Sequence, residues 1–423
     1  MSMDVQTATS VGIHAGFKLP HWNPQLEMLE CISCGKQGVT AFIDESRRPL
    51  ATIWWPQSEA EAVAMQRLPH SFVRCVSCGH IFNKSFTYDD VPYSRKANLM
   101  FNQGVLWQGH LRKIVRRLSD AVSESPTVVE IGCGDGSLLR AMDSQLTGAN
   151  LIGFDPNNKH HRSANIEFRG ELFLPQRHLN ELKPDLIVCR HVLEHLQQPM
   201  RFLEQIAVVT AISDRSIQLY VEVPCVDRAV KTTRLSDYYY EHNSHFTTQS
   251  FRAMLDRIGA TTTWLDRFYD DEVLGALFTL APQPHLAEMS RVTERHRLNA
   301  LHTVRKIREQ LNFIAQANLR VAIWGGTGKA AAFMSLYGMD RARFPLVVDS
   351  DRDKCDTFVP GTGQRIRPAE VLVREPADVV VIPMSWRARD IVHEMRKKQI
   401  QCEHILIEHD QRLVDFHRDE HPY

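Results

Sequence analysis

Ten residues, Thr127 to Gly136, constrain this chain more than any others: a β-branched run, an acid, then glycines at three alternate positions, Gly132, Gly134 and Gly136. A strand that ends this way must turn tightly and pass straight into a helix, here Ser137-Leu138-Leu139-Arg140, because glycine alone enters left-handed backbone without steric cost. Strand, glycine turn and helix in that order open a doubly wound α/β fold, in which a nucleotide ligand sits at the carboxyl edge of the strands. Such a site also needs an acid closing the second strand, about 20 residues on, to accept hydrogen bonds from ribose hydroxyls. Leu151-Ile152-Gly153-Phe154-Asp155 supplies it. The dinucleotide spacing is G-x-G-x-x-G, and this one differs, so the alternatives are another nucleotide ligand or a plain glycine turn.

Glu130-x-Gly132-x-Gly134-x-Gly136 resembles the first motif of class I S-adenosylmethionine-dependent methyltransferases. Further on, Asp185 to Arg190 reads as a buried parallel strand and runs into His191-Val192-Leu193-Glu194-His195. That segment is similar to the HVLEH-like stretch the family carries after its fourth strand, at the cofactor's edge. The resemblance implies S-adenosylmethionine as cofactor, held by Glu130, Gly132, Gly134, Gly136, Asp155 and His191.

A chain of 423 residues exceeds one core and implies two to four domains. Its 50 basic and 50 acidic residues cancel, which argues against a general nucleic-acid binder. No apolar run approaches the ~18 residues of a membrane helix, and the start lacks the basic flank and apolar stretch of a signal peptide, so a cytoplasmic enzyme is expected. Nine cysteines, an odd number, then favour metal binding and ordinary buried thiols over a disulfide framework.

Four of those cysteines form two C-x-x-C-G knuckles, Cys31-Ile32-Ser33-Cys34-Gly35 and Cys75-Val76-Ser77-Cys78-Gly79. Cys31, Cys34, Cys75 and Cys78 can present four thiolates to one tetrahedral Zn²⁺, which leaves no open coordination position and makes the metal structural. A redox role for C-x-x-C needs one pair in a thioredoxin-like context, which is absent. Residues before about Leu19 read as a loosely held extension, and the spacer with Trp54-Trp55-Pro56 as a small elaborated ribbon. An aromatic and acidic linker, Phe86 to Ser94, then leads to a helical stretch through Trp107 and Leu118.

The knuckles, the Tyr88-to-Tyr93 linker and the glycine motif, in that order, resemble the sugar C-methyltransferases that act on nucleotide-linked deoxyketosugars. Two later segments extend the likeness: the strand end Glu222-Val223-Pro224, and Tyr239-Tyr240-Glu241-His242-Asn243-Ser244-His245-Phe246, similar to the family's Y-H-E-H-x-x-Y-F. Tyr239, Glu241, His242 and Phe246 match, while Tyr240 replaces a histidine and His245 a tyrosine. Methylating carbon requires removal of a proton α to a ketone, leaving an enolate to attack the sulfonium methyl, and imidazole and phenol groups suit those tasks. The resemblance implies His242 as base, Glu241 orienting it or a sugar hydroxyl, and Tyr239 or His195 holding the oxyanion. His191, His195, His242 and His245 could instead form a second metal site, since the first two stand at helical i, i+4 spacing, although Glu194 does not give the HExxH arrangement. Any one histidine could also be a structurally bonded or surface imidazole.

After a break at Pro282 to Pro284, Leu298, Leu301, Val304, Ile307, Leu311 and Ile314 mark one face of an amphipathic helix expected to pack within the chain. A second nucleotide-type turn follows, Trp324-Gly325-Gly326-Thr327-Gly328-Lys329, with Asp349 closing the next strand; alone it fits a nicotinamide dehydrogenase. It is not a phosphate loop of the Walker type, because Ile323 and Ala330 stand at positions that type needs filled by Gly and by Ser or Thr. With Asp349 to Lys354, Pro360-Gly361-Thr362-Gly363 and Ala377 to Trp386, this region resembles the carboxy-terminal domain of the same family, Rossmann-like, assisting nucleotide-sugar binding without a redox cofactor. The expectation is therefore an α/β protein with a zinc-binding domain at 20–95, a methyltransferase domain at 96–282 and a Rossmann-like domain at 283–423. Its partner would be a nucleotide-sugar, neither nucleic acid nor membrane, and its state monomer or homodimer. An O- or N-methyltransferase keeps the fold and changes the acceptor.

Overall fold

The computed structural model describes residues 25–52, 55–93 and 104–423. The expectations placed on residues before Leu19, on Trp54 and on Ser94 lie outside the described residues. Two compact units divide between Ala287 and Glu288, so the cysteine-bearing and methyltransferase segments share one unit.

In the first unit, Leu26–Glu30 (β1) and Gln37–Ala41 (β2) pair antiparallel across the first knuckle. Ser46–Arg48 (β3) pairs with Leu68–His70 (β4), and between them in the chain Glu59–Ala64 (α1) starts at Ser58, whose side chain accepts the Glu61 amide. Phe72–Cys75 (β5) and Ile81–Asn83 (β6) form a hairpin across the second knuckle. β1, β2, β5 and β6 make one sheet, and its last place is taken by residues from much later in the chain: Ser244 pairs with Phe82 and His245 with Ile81.

Helix Val105–Ser119 (α2) buries Trp107, His110, Ile114, Val115 and Leu118 along one stripe. Then come Thr127–Ile131 (β7), Ser137–Asp143 (α3), Asn150–Phe154 (β8), His161–Ser163 (β9), Ile166–Arg169 (β10), Pro175–Leu182 (α4), Leu186–Arg190 (β11) and Pro199–Ile212 (α5). Ile217–Pro224 (β12), Asp227–Thr232 (α6), Ser244–His245 (β13), Thr248–Arg257 (α7), Thr261–Phe268 (β14) and Val273–Leu280 (β15) complete the unit. The large sheet runs β14-β15-β12-β11-β7-β8-β10-β9, parallel from β12 to β10, with β15 antiparallel on β12. This is the Rossmann-like class I methyltransferase arrangement. Strand order reverses at β7, whose neighbours β8 and β11 lead away in opposite directions and open a crevice at the carboxyl ends. Both faces of the sheet are covered, Val129 and Ile131 packing into one core and Val128 into the other, which is why β7 reads as a continuous apolar run.

Pro284–Gln316 (α8) straddles the division and leads, in the second unit, to a sheet of Val321–Trp324 (β16), Leu346–Asp349 (β17), Ile366–Pro368 (β18), Val379–Ile382 (β19), His404–His409 (β20) and Arg412–Asp415 (β21), ordered β18-β17-β16-β19-β20-β21. Lys329–Tyr337 (α9), Val371–Arg374 (α10) and Ala388–Lys397 (α11) cross between strands. The expected apolar face of α8 is only half used. Ile307 and Leu311 are buried with Val304 and Ile314 packed beside them, while Leu298 and Leu301 stand exposed. No helix among the described residues is long and apolar enough to cross a membrane.

Candidate active site

The glycine turn after β7 has the left-handed backbone its composition demands, with φ of 71° at Gly132, 51° at Gly134 and 76° at Gly136. A β-carbon at Gly132 would run into Val192 Cγ2, and one at Gly136 into the Phe168 ring, so the turn packs directly on the segment that follows β11. Asp155, just past β8, accepts the Gly134 amide through Oδ2 at 3.1 Å and the Asn157 amide through Oδ1 at 2.9 Å. The end of the second strand is thus tied to the turn. Glu130 lies inside, 4 % exposed, and its Oε2 makes no hydrogen bond among the described residues. Burial, reinforced by the Asp135, Glu222 and Asp155 carboxylates and only partly offset by Arg190, pushes its carboxyl up to about 8. A buried polar atom without a partner beside an open glycine turn fits a ligand with hydrogen-bond donors, as the amino and ribose groups of S-adenosylmethionine are.

The segment after β11 is not α-helical: Leu193–His195 is a single 3-10 turn, so His191 and His195 do not share a helix face as their spacing predicted. His191 takes φ 52°, unusual for a non-glycine residue, and points both ring nitrogens at carboxylates. Its Nε2 is 3.1 Å from Glu222 Oε1 and its Nδ1 3.4 Å from Glu194 Oε1. Burial alone would lower this imidazole's pKa, but the two carboxylates overcome it and raise it to about 9. Glu222 is itself the hub of a buried network, bonded to Arg190, His110 and Tyr220, and is held well below the usual carboxylate range despite its burial. His191, expected at the cofactor, therefore has its nitrogens committed to the protein.

The His195 Nδ1 is 2.8 Å from the Glu241 carbonyl oxygen and 3.1 Å from the Tyr93 hydroxyl. A carbonyl only accepts, so Nδ1 carries the hydrogen and the neutral ring keeps its lone pair on Nε2. The His242 ring packs against it with centroids 4.8 Å apart, and His242 Nε2 is 2.9 Å from the Tyr239 hydroxyl. Burial and the neighbouring imidazoles of His195, His245 and His191 hold His242 well below the usual histidine range, so it is neutral at physiological pH. Burial pushes the Tyr239 and Tyr93 phenols up, so both keep their protons.

Glu241 has a different job from the expected one. Its Oε1 accepts the amides of Ala51 and Thr52 at 2.6 Å each, so it clasps a loop of the amino-terminal segment and does not orient His242. Tyr240 donates to Asp90 Oδ2 at 2.8 Å, and His245 turns Nε2 to the Asp237 carbonyl. The alternative four-histidine metal site does not form among the described residues. The group among the described residues that could hold an ion, besides the cysteines, is Glu194, His195 and His242. Two residues of this cluster were not singled out from sequence. Tyr93 comes from the linker, and Glu194 is 1 % exposed with neither oxygen hydrogen-bonded among the described residues.

The four knuckle cysteines converge as their spacing predicted, with the sulfurs all within 4.8 Å of one another. Cys31 and Cys78 sulfurs are 3.7 Å apart, as are those of Cys34 and Cys75. Tetrahedral Zn²⁺ with ~2.3 Å bonds would put them about 3.8 Å apart. The Ser33 amide points at Cys31 Sγ and the Ser77 amide at Cys75 Sγ, while Gly35 and Gly79 take φ of 69° and 78° to make those turns. In the second unit Asp349 accepts the Gly326 amide at 3.1 Å, the same tie that joins Asp155 to Gly134.

Residues 107–263 match the family described as "Methyltransferase domain", and residues 286–407 the family described as "C-methyltransferase C-terminal domain". A search of curated proteins found no match. Among solved structures, the chain aligns with the N-methyltransferase NodS from Bradyrhizobium japonicum in complex with S-adenosyl-l-homocysteine, at 14 % identity and TM-score 0.32, over 45 % of this chain and 95 % of that one. Magnesium protoporphyrin IX methyltransferase from Synechocystis with bound SAH aligns at 15 % identity and TM-score 0.31, over 41 % of this chain and 83 % of that one. The mitomycin 7-O-methyltransferase MmcR aligns at 15 % and 0.30 over 40 % of this chain, which spans 54 % of that protein.

Proposed function

We propose that this S-adenosylmethionine-dependent methyltransferase, which carries a C-methyltransferase C-terminal domain, methylates the carbon α to the ketone of a nucleotide-linked 4-keto-deoxysugar. The observation that carries the reading is the convergence of His242, His195, Tyr239 and Tyr93 beside the segment that packs on the glycine turn. An oxygen or nitrogen acceptor has its own lone pair and needs no enolate. A carbon acceptor needs a base and an oxyanion donor together, and this cluster supplies both.

His242 Nδ1 makes no hydrogen bond among the described residues and, in the neutral ring, can hold the lone pair that takes the α-proton. Its Nε2–H then donates to the Tyr239 oxygen, which frees the Tyr239 hydrogen for the forming enolate oxygen. His195 in its neutral form presents a lone pair, so it suits a sugar hydroxyl better than an oxyanion. S-adenosylmethionine, when bound, supplies an electrophilic methyl; Glu130, Asp155 and the turn from Gly132 to Gly136 would hold it. Zn²⁺ on Cys31, Cys34, Cys75 and Cys78 would stiffen the amino-terminal sheet without entering the chemistry.

The test is incubation with a nucleotide-linked 4-ketosugar in D₂O, followed by NMR of the sugar. Deuterium at the α-carbon without donor, and a carbon-bound methyl with donor, are expected; both should vanish in His242→Ala while donor affinity stays within about twofold. A methyl on oxygen or nitrogen, with no exchange, would reverse the assignment.

A further inference from the structure

Glu194 is the charged group in this site that the chemistry above leaves idle. It is buried, neither carboxylate oxygen has a hydrogen-bond donor among the described residues, and one of its oxygens lies within 4.8 Å of a ring nitrogen of both His195 and His242. A carboxylate is costly to bury without donors, and the charge that answers it is the His191 ring at 3.4 Å. That ring is held from behind by Glu222, which Arg190, His110 and Tyr220 fix in turn. Glu194 is thus the inner end of a row of alternating charge, with the His195 and His242 imidazoles in front of it.

We propose that Glu194 is the positioning carboxylate of the proton-transfer step, placed so that the imidazolium His242 becomes is paired with a buried anion as it forms. In that step the α-C–H bond breaks, an N–H bond forms on His242, and the electron pair passes into the enolate. The same pair then forms the new carbon–carbon bond to the methyl as the carbon–sulfur bond breaks toward sulfur, and His242 returns its proton to solvent. At rest, burial and the neighbouring imidazoles of His195, His245 and His191 make His242 a poor proton acceptor. A buried anion within reach stabilises the imidazolium as the proton arrives, as the aspartate of a Ser-His-Asp triad does. The proposal rests on His242 as base, and it adds a residue that touches neither substrate nor donor.

Glu194→Gln in the full zinc-loaded chain tests it, because the amide keeps the shape and removes the charge. The first readout needs no substrate: NMR titration of ¹⁵N-labelled histidine rings. The groups facing Glu194 are His191 and Cys189 from β11 and its turn, His195, and Tyr93 from the linker. Tyr239, His242 and His245 face it from the segment before α7. Of these, His191 and His242 should bind protons on the order of tenfold more weakly in the Gln variant, and Glu194→Asp should restore most of the affinity. The second readout is turnover of the nucleotide 4-ketosugar, where kcat should fall about 100-fold with KM and donor affinity nearly constant. Unchanged titration of both histidines would overturn the proposal, as would loss of a second bound metal ion on the substitution, which would make Glu194 a ligand instead. If the wild-type chain exchanged no sugar proton, the proposed reaction would fall, and the titration would still decide whether Glu194 governs these imidazoles. Should the Gln variant not fold, Glu194→Ala, which also removes the charge, and its titration carry the same decision.

Discussion

Replacing Glu130 with Gln should make the protein more stable in alkaline solution and leave it unchanged in acid. The carboxyl is buried, and its pKa rises from 4.5 to about 8 on folding. Between those values the native state holds one proton more than the unfolded state, so stability falls with rising pH, at about 1.4 kcal/mol per pH unit through this group. The sign is opposite to that of a salt-bridged carboxylate, whose depressed pKa adds stability above its unfolded value. Summed over the interval, the penalty reaches about 5 kcal/mol above pH 8 as a ceiling, since relaxation around the charge reduces it. Glutamine has the same shape and no charge to bury, so it escapes the penalty. Urea unfolding of both proteins at half-unit steps from pH 5 to pH 9 measures the difference, in which all other titrations cancel. It should be smallest at pH 5, about 1 kcal/mol or less, and widen steadily to pH 8. A difference that stayed flat across the range would refute the reasoning, because it would mean Glu130 is solvated or permanently paired.

Two further outcomes follow from the geometry. Cys31→Ser should lower bound zinc from one per chain to near zero by metal analysis and expose the β1–β2 segment to protease, since three thiolates hold the ion far more weakly than four. Gly132→Ala meets Val192 and left-handed backbone at once. It should cost about 1–3 kcal/mol in thermal unfolding and weaken S-adenosylmethionine binding at least tenfold by calorimetry.

Local patterns carried the large sheet. Apolar runs ending in Glu130, Asp155 and Arg190 mark strands whose faces are both covered, and glycines at alternate positions mark the turn, because these depend on neighbours a few residues apart. The four thiolates were legible for the same reason: each knuckle is local, and only their meeting is long-range. What sequence could not show is the partnership across 148 residues between Tyr93 and the Glu241 carbonyl, or across 190 between Ala51 and the Glu241 carboxylate. Glu241 reads as catalytic beside His242, yet the chain turns at Tyr240 and Glu241, and the Glu241 side chain faces the amino-terminal loop. Glu194 enters the sequence reading only as a residue that does not give HExxH, because its burial depends on contacts the sequence does not show. The apolar face of α8 was overextended by two residues, Leu298 and Leu301, since periodicity shows where a helix could pack and not how far its partner reaches.

The edge of β6 is sealed by two residues, Ser244 and His245, that the ribosome delivers only after β12 and α6 have been made. Until then, the cysteine-bearing sheet presents an open strand to whatever else is in solution. A fragment cut before Ser244 would keep every thiolate and still lack its last strand, so the amino-terminal segment should behave as a dependent lobe, prone to self-association when expressed alone.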